Sequence, residues 1–277
     1  WLKPFQGAAN GVMAKMITLR RAAVTSITKE GAFGFKDTLR ASVEMQSYTK
    51  DMMLRNLDNN KISLMLQEFD YLPNDFGYNT PSSDLVTSKN KGLNEGNMYL
   101  FHTMFEKANA INIMVAQLIH MKTTKNGEEI SMFDAYDVIQ EQDPITGRTY
   151  SKLKYTGDVR GASINAAGEP EVLAEVTSNE VTKTKRVYQQ MQGGYRADEK
   201  STIELYWWGQ ILVQFRKYLP AIVMQALKSK NEDYTLGHYK QLFNGDGSPK
   251  LKDGQKMYQW VAEETEGSLR IIFASFV

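Results

Sequence analysis

Residues able to hold a metal, attack a carbonyl or shuttle a proton are few in this chain and poorly spaced. It has no cysteine, which excludes disulfides, thiolate ligands and cysteine nucleophiles together. Three histidines remain. His102 and His120 fall on one helical pattern, roughly 27 Å apart at the helical rise, so they cannot share an ion. His238 follows Gly237 in a separate segment, and neither H-E-x-x-H nor a calcium loop occurs. Gly161-Ala162-Ser163-Ile164-Asn165 starts like a nucleophile elbow but lacks the second glycine. Gly31-Ala32-Phe33-Gly34 is too short for a dinucleotide fingerprint, and no G-x-x-x-x-G-K-[ST] is present. Glu128, Glu129 and Asp134 read as a solvated edge and a helix N-terminus, not as a pair of glycosidase carboxylates. The expectation is a chain with no catalytic residues, no metal, no cofactor and no small-molecule substrate.

Two groupings bear on binding instead. Trp207, Trp208, Phe215 and Tyr218 form the most apolar cluster and are the candidate partner-binding residues. A membrane span is not expected there, because residues 205–215 give only eleven uncharged positions between charges, against about 20 for a span. Lys15, Arg20 and Arg21 are the candidate phosphate contacts, in a first 50 residues that hold eight basic and three acidic side chains. Over the whole chain 33 basic residues meet 32 acidic ones, a net charge of +1, so contact with DNA is expected to be weak.

The elements that carry these residues read as helices. The 277 residues, 42% hydrophobic and 23% charged, belong to a folded protein and not a disordered one. Val12, Met16, Leu19, Ala23 and Ile27 form one apolar stripe, broken at Gly31–Gly34. A second helical stretch covers about 36–67, with Asp58-Asn59-Asn60 a candidate interruption. Residues 70–97, with Pro73 and Pro81, predict a long loop. The clearest helix runs from Asn97 to Lys122, with Phe101, Met104, Phe105, Ala108, Ile111, Val115, Leu118 and Ile119 on one face.

Between 123 and 170 the pattern weakens to a short helix at 132–140, a turn at Asp143–Gly147, a candidate strand at 148–155 and a loop from 157 to 170. Further helices are expected over 171–191, from the capping box Ser201-Thr202-Ile203-Glu204 to Pro220, and from about Lys256. The fold class expected is mainly α, multi-helix, with long loops and at most a short β-hairpin. Its regions are 1–122 helical with the loop 70–97, 123–170 a loop-rich connector, and 171–277 helical. The start at Trp1 and the apolar end Ile271–Val277 suggest a fragment of a longer polypeptide.

Gly193-Gly194-Tyr195-Arg196-Ala197-Asp198-Glu199-Lys200, leading into Ser201–Pro220, resembles parts of the very large virion cargo proteins of crAss-like bacteriophages. A Met-, Asn- and Tyr-rich helical texture adds to the likeness, which covers about a third of the chain. The resemblance implies a non-catalytic structural or interaction segment, held in the capsid or tail interior and ejected into the host cytoplasm with the DNA. Its implied partners are other virion proteins: portal, tail or further cargo. The virion polymerases that travel with such cargo carry a D-x-D-x-D triad, which is missing here, so no functional residue carries over. Two alternatives compete: an accessory segment of ejected transcription machinery or a cell-wall hydrolase, and a membrane-active protein of the ejection conduit.

Overall fold

The computed structural model describes residues 15–26, 31–54, 56–71, 95–145, 147–164, 170–192 and 227–267. Five helices stand among them: α1 (residues 15–26), α2 (Phe35–Met53), α3 (Lys61–Glu68), α4 (Glu95–His120) and α5 (Ser178–Gln192). The interruption at Asp58-Asn59-Asn60 is present, and it has a local cause. Leu57–Asn59 is a single 3₁₀ turn, and the Asn60 side chain then accepts from the amides of Ile62 and Ser63, capping α3. The break before α2 also matches its sequence, since Phe33 turns fully into the core there.

The expectation of a mainly helical chain is overturned. A five-stranded mixed sheet and two separate hairpins make up much of the chain beyond α4. The first hairpin pairs β1 (Lys122–Lys125) with β2 (Glu128–Ser131), and the second pairs β3 (Tyr136–Gln142) with β4 (Thr149–Tyr155). The large sheet contains β5 (Gly161–Ile164), β6 (Pro170–Leu173), β7 (Asn231–Gln241), β8 (Leu251–Lys252) and β9 (Gln255–Thr265). Its order is β6-β5-β9-β7, with β8 hairpinned onto β9. Only the β5–β9 contact is parallel, setting Ala162 beside Met257.

So the helix expected at 132–140 is a turn followed by β3, and the loop expected at 157–170 holds β5. The helices expected to begin at 171 and at Lys256 are preceded or replaced by β6 and β9. The expected hairpin near 145–155 exists but is longer, pairing Tyr136 with Tyr155 through to Gln142 with Thr149. Turn chemistry is the physical reason. Asn126-Gly127 and Asp253-Gly254 both have positive φ at both residues (56° and 82°, 51° and 79°), the twist that closes a two-residue hairpin. Asp158 then locks the first of these turns by accepting from the amides of Asn126 and Gly127.

The core centres on the second half of α4, which is buried on every side from Asn109 to Ile119. Ile113, Met114, Val115 and Leu118 meet Phe33, Met65, Met132, Val187 and Met191, and Leu236 extends the same cluster to β7. Each such side chain contributes about 1.5–3 kcal/mol through burial. The end of α4 is tied to the hairpins, because the amides of Met132 and Phe133 donate to the carbonyls of Met121 and Leu118.

Gly161 opens β5 at φ 151°, and a Cβ there would lie 2.3 Å from the Lys256 carbonyl oxygen and 2.8 Å from the Tyr258 ring. Gly161→Ala is therefore expected to cost at least about 1–3 kcal/mol in backbone strain alone, read as a lower thermal midpoint. Gly245→Ala, with no atom within 4 Å of the added Cβ, is expected to leave the midpoint unchanged. Equal midpoints for the two variants would show that the parallel contact is looser than described.

Candidate functional site

The consecutive helices α1 and α2 and the later α4 enclose an open groove of about 830 Å³. Helix α2 supplies one wall through Ser42, Met45, Thr49 and Met53, α4 the other through Ala108, Asn109 and Asn112, and α1 closes one end with Lys15. The walls are mostly apolar, but the floor carries a polar chain. The Lys15 ammonium donates to Asn112 Oδ1 at 3.0 Å, and Asn112 Nδ2 donates to Ser42 Oγ at 3.1 Å. Next to them the Thr18 hydroxyl donates to Asn109 Oδ1 at 3.3 Å.

Two donors in this floor are not fully used. Asn109 is only 6% exposed, and its Nδ2 has no hydrogen-bond partner among the described residues. A buried donor left unmade costs about 1–3 kcal/mol, and this one lies beneath the surface and not open to the groove. Lys15 has a neutral acceptor in Asn112, and burial pulls its pKa below the ordinary lysine value. The groove therefore offers apolar walls with positive charge beneath them.

The candidate phosphate contacts do not share one surface. Lys15, Arg20 and Arg21 project from three different sides of α1 at the helical repeat. Lys15 turns into the groove, Arg20 is exposed, and Arg21 lies in the field of Glu263 and Asp233. Burial lowers the Arg21 pKa, and those two carboxylates act against the shift. The partner-binding candidates Trp207, Trp208, Phe215 and Tyr218 lie outside the described residues, as does the capping box at Ser201.

Other ionisable clusters are engaged in holding elements together. Arg160 grips Glu180 at 2.8 and 3.0 Å, while Glu180 and Thr177 cap the start of α5 reciprocally. Asp37 accepts from His120 Nδ1, at 2.7 Å, and from the Gly34 amide. Burial alone would raise the Asp37 pKa, but these two hydrogen bonds outweigh it and hold the carboxyl below its ordinary value. Asp134, expected at a helix N-terminus, sits in a turn and accepts from Arg40 at 2.6 Å and from Ser131. Ser163, of the partial elbow sequence, is buried within β5. Among the described residues no group of three or more acidic or histidine side chains is placed to hold a metal ion. No described helix is long and apolar enough to cross a membrane.

Asn109 and Asn112 carry the groove's polarity, and no motif in the sequence singles them out. A weaker signal was available: two asparagines three positions apart inside the apolar run Ala108–Val115 must share one face of the helix. No protein-family model, curated protein or solved structure matches this chain.

Proposed function

We propose that the chain is a non-catalytic structural and interaction segment of a crAss-like phage virion cargo protein. It is held in the capsid or tail interior beside other virion proteins and delivered to the host cytoplasm with the DNA. The resemblance at Gly193–Pro220 supports the virion setting. The observation that carries the interaction role is the groove between α1, α2 and α4, whose apolar walls and Lys15 ammonium suit the side chains of a protein partner. The Asp37–His120 and Arg160–Glu180 pairs elsewhere are already committed to an interhelical tie and a helix cap.

Quantitative peptide mass spectrometry on purified crAss-like phage particles tests the setting, comparing full virions with particles that have released their DNA. Peptides of this chain are expected in full particles and depleted from emptied ones. Retention in the emptied shell would overturn ejection and leave a fixed structural part. Their absence from both would overturn the virion reading.

A further inference from the structure

Helix α2 packs inward through Thr38 and Ala41, yet its outer side is not polar. Phe35, Leu39 and Val43 recur at four-residue spacing, and Met53 and Leu54 continue the same side at the far end. All five are exposed, Val43 by 63% and Met53 by 77%. Gln46 and Lys50 divide this side into two apolar patches, Phe35–Val43 over about 12 Å and Met53–Leu54 at the edge of the groove. Exposed apolar patches beside a groove mark a candidate interaction surface.

The charges around it are sorted by sign. Asp37, Glu44 and Asp51 recur every seven residues along the opposite side of α2, where Asp37 meets His120 and Asp51 accepts from Asn60. Lys36 and Lys50 flank the apolar patches, and Lys15 adds a third ammonium from α1. Among the described residues that line the groove none is a carboxylate.

From this juxtaposition we infer that the α2 face and its groove dock an acidic amphipathic helix of a partner protein. The helix sets apolar residues at i, i+3 and i+4 against Phe35, Leu39, Val43 and Met53. Its flanking carboxylates meet Lys15, Lys36 and Lys50. A helix is the occupant because the receiving surface is a helical ridge beside a groove, which accepts a second ridge at i/i+4 spacing. The acidic sign follows from Lys15 and Lys50, the charged side chains among the described residues lining the groove, which would repel a basic partner. The docking role rests on the interaction reading above, but its test is independent of the virion experiment. Peptides found in virions with no docking would sink the docking alone, and docking without virion peptides would sink the setting alone.

The experiment is fluorescence anisotropy of the full chain with a labelled peptide of about 20 residues. Leucines sit at i, i+3, i+4 and i+7, and glutamates occupy the flanks. One control replaces every glutamate by lysine, and another shuffles the same composition to break the apolar face. Saturable binding is expected for the acidic amphipathic peptide alone, weakening as salt rises from about 0.05 to about 0.5 M. Val43→Asp is expected to weaken it at least about tenfold, and Lys15→Met about fivefold with a flatter salt response. Val43 is exposed, so its variant should keep the parent melting curve, and Leu39→Ser serves if it does not. Equal binding by the lysine peptide, or an unchanged Kd in both the Val43 and Leu39 variants, overturns the proposal. So does no binding by the acidic peptide at about 100 μM. Sedimentation that shows dimers dissolved by Val43→Asp assigns the face to a second copy and overturns it too.

Discussion

Replacing Glu180 by alanine is expected to remove about 3–5 kcal/mol of stability, the largest loss from any single exchange considered. Arg160 and Glu180 side chains are only 13% and 7% exposed, and their oxygens and nitrogens meet in a two-pronged pair. The guanidinium also donates from Nε to the Ala174 carbonyl and from Nη2 to that of Glu175. Glu180 Oε2 accepts from the Thr177 amide, and the Thr177 hydroxyl in turn accepts from Tyr239 on β7. One carboxylate thus links the entry to β5, the exit from β6, the start of α5 and the sheet. Burial works against the charged form of Arg160, yet Glu180 more than offsets it and holds its pKa above the ordinary value.

Without Glu180 that cation stays buried and uncompensated. The thermal midpoint should fall by roughly 6–20 °C. Glu180→Gln should lose less, since an amide oxygen can still accept from Thr177. Pairing Arg160→Met with Glu180→Leu removes the stranded charge and should recover most of the loss. What remains is about 1 kcal/mol for the missing helix cap. A double variant no more stable than Glu180→Ala would show that the network acts through its backbone contacts and not through its charge.

The helices were legible where apolar spacing was regular, and the strands were hidden where it was not. Asn126-Gly127 and Asp253-Gly254 are strong hairpin signals. But the flanking Lys122–Lys125 and Glu128–Ser131 hold a single large apolar residue, Ile130, so alternation gives no second signal. In β9 the spacing misleads outright. Buried Met257 and Trp260 with half-buried Val261 stand at i, i+3 and i+4, a helical pattern. The cause is that β9 is central, paired with β5, β7 and β8, so both of its faces are partly covered. The helix expected from Glu171 opens instead at Ser178, where Thr177 and Glu180 cap it reciprocally. The groove was out of reach of any spacing rule, because Lys15, Ser42 and Asn112 come from three elements that only tertiary packing brings together.

Refolding of the full chain from urea is expected to proceed in steps separated by orders of magnitude in time. The hairpins β1–β2 and β3–β4 and the long helix α4 are built from local contacts, which form in microseconds. The central sheet is not local. Its parallel pair joins residue 162 to residue 257, and β9 must return past α5 and β7 to reach β5. Pairings of that kind place proteins in the millisecond-to-second range, because loop closure precedes the contacts that reward it. Pulse-labelled hydrogen exchange should therefore show protection first at α4 and the hairpins, then at β5 and β9, with at least about a hundredfold delay. Protection of β5 and β9 in the same phase as β1 would defeat the expectation. If the chain is delivered as proposed, the consequence is direct. A chain that crossed a tail unfolded would regain its helices well before its sheet. During that interval Met257, Trp260 and Leu236 would be uncovered, and slow folders with such surface are prone to aggregate. A partner present during delivery, or transit in a folded state, would shorten or avoid the interval. Adding the acidic peptide during refolding distinguishes these, since a faster β9 phase is expected only if the α2 face is engaged before the sheet closes.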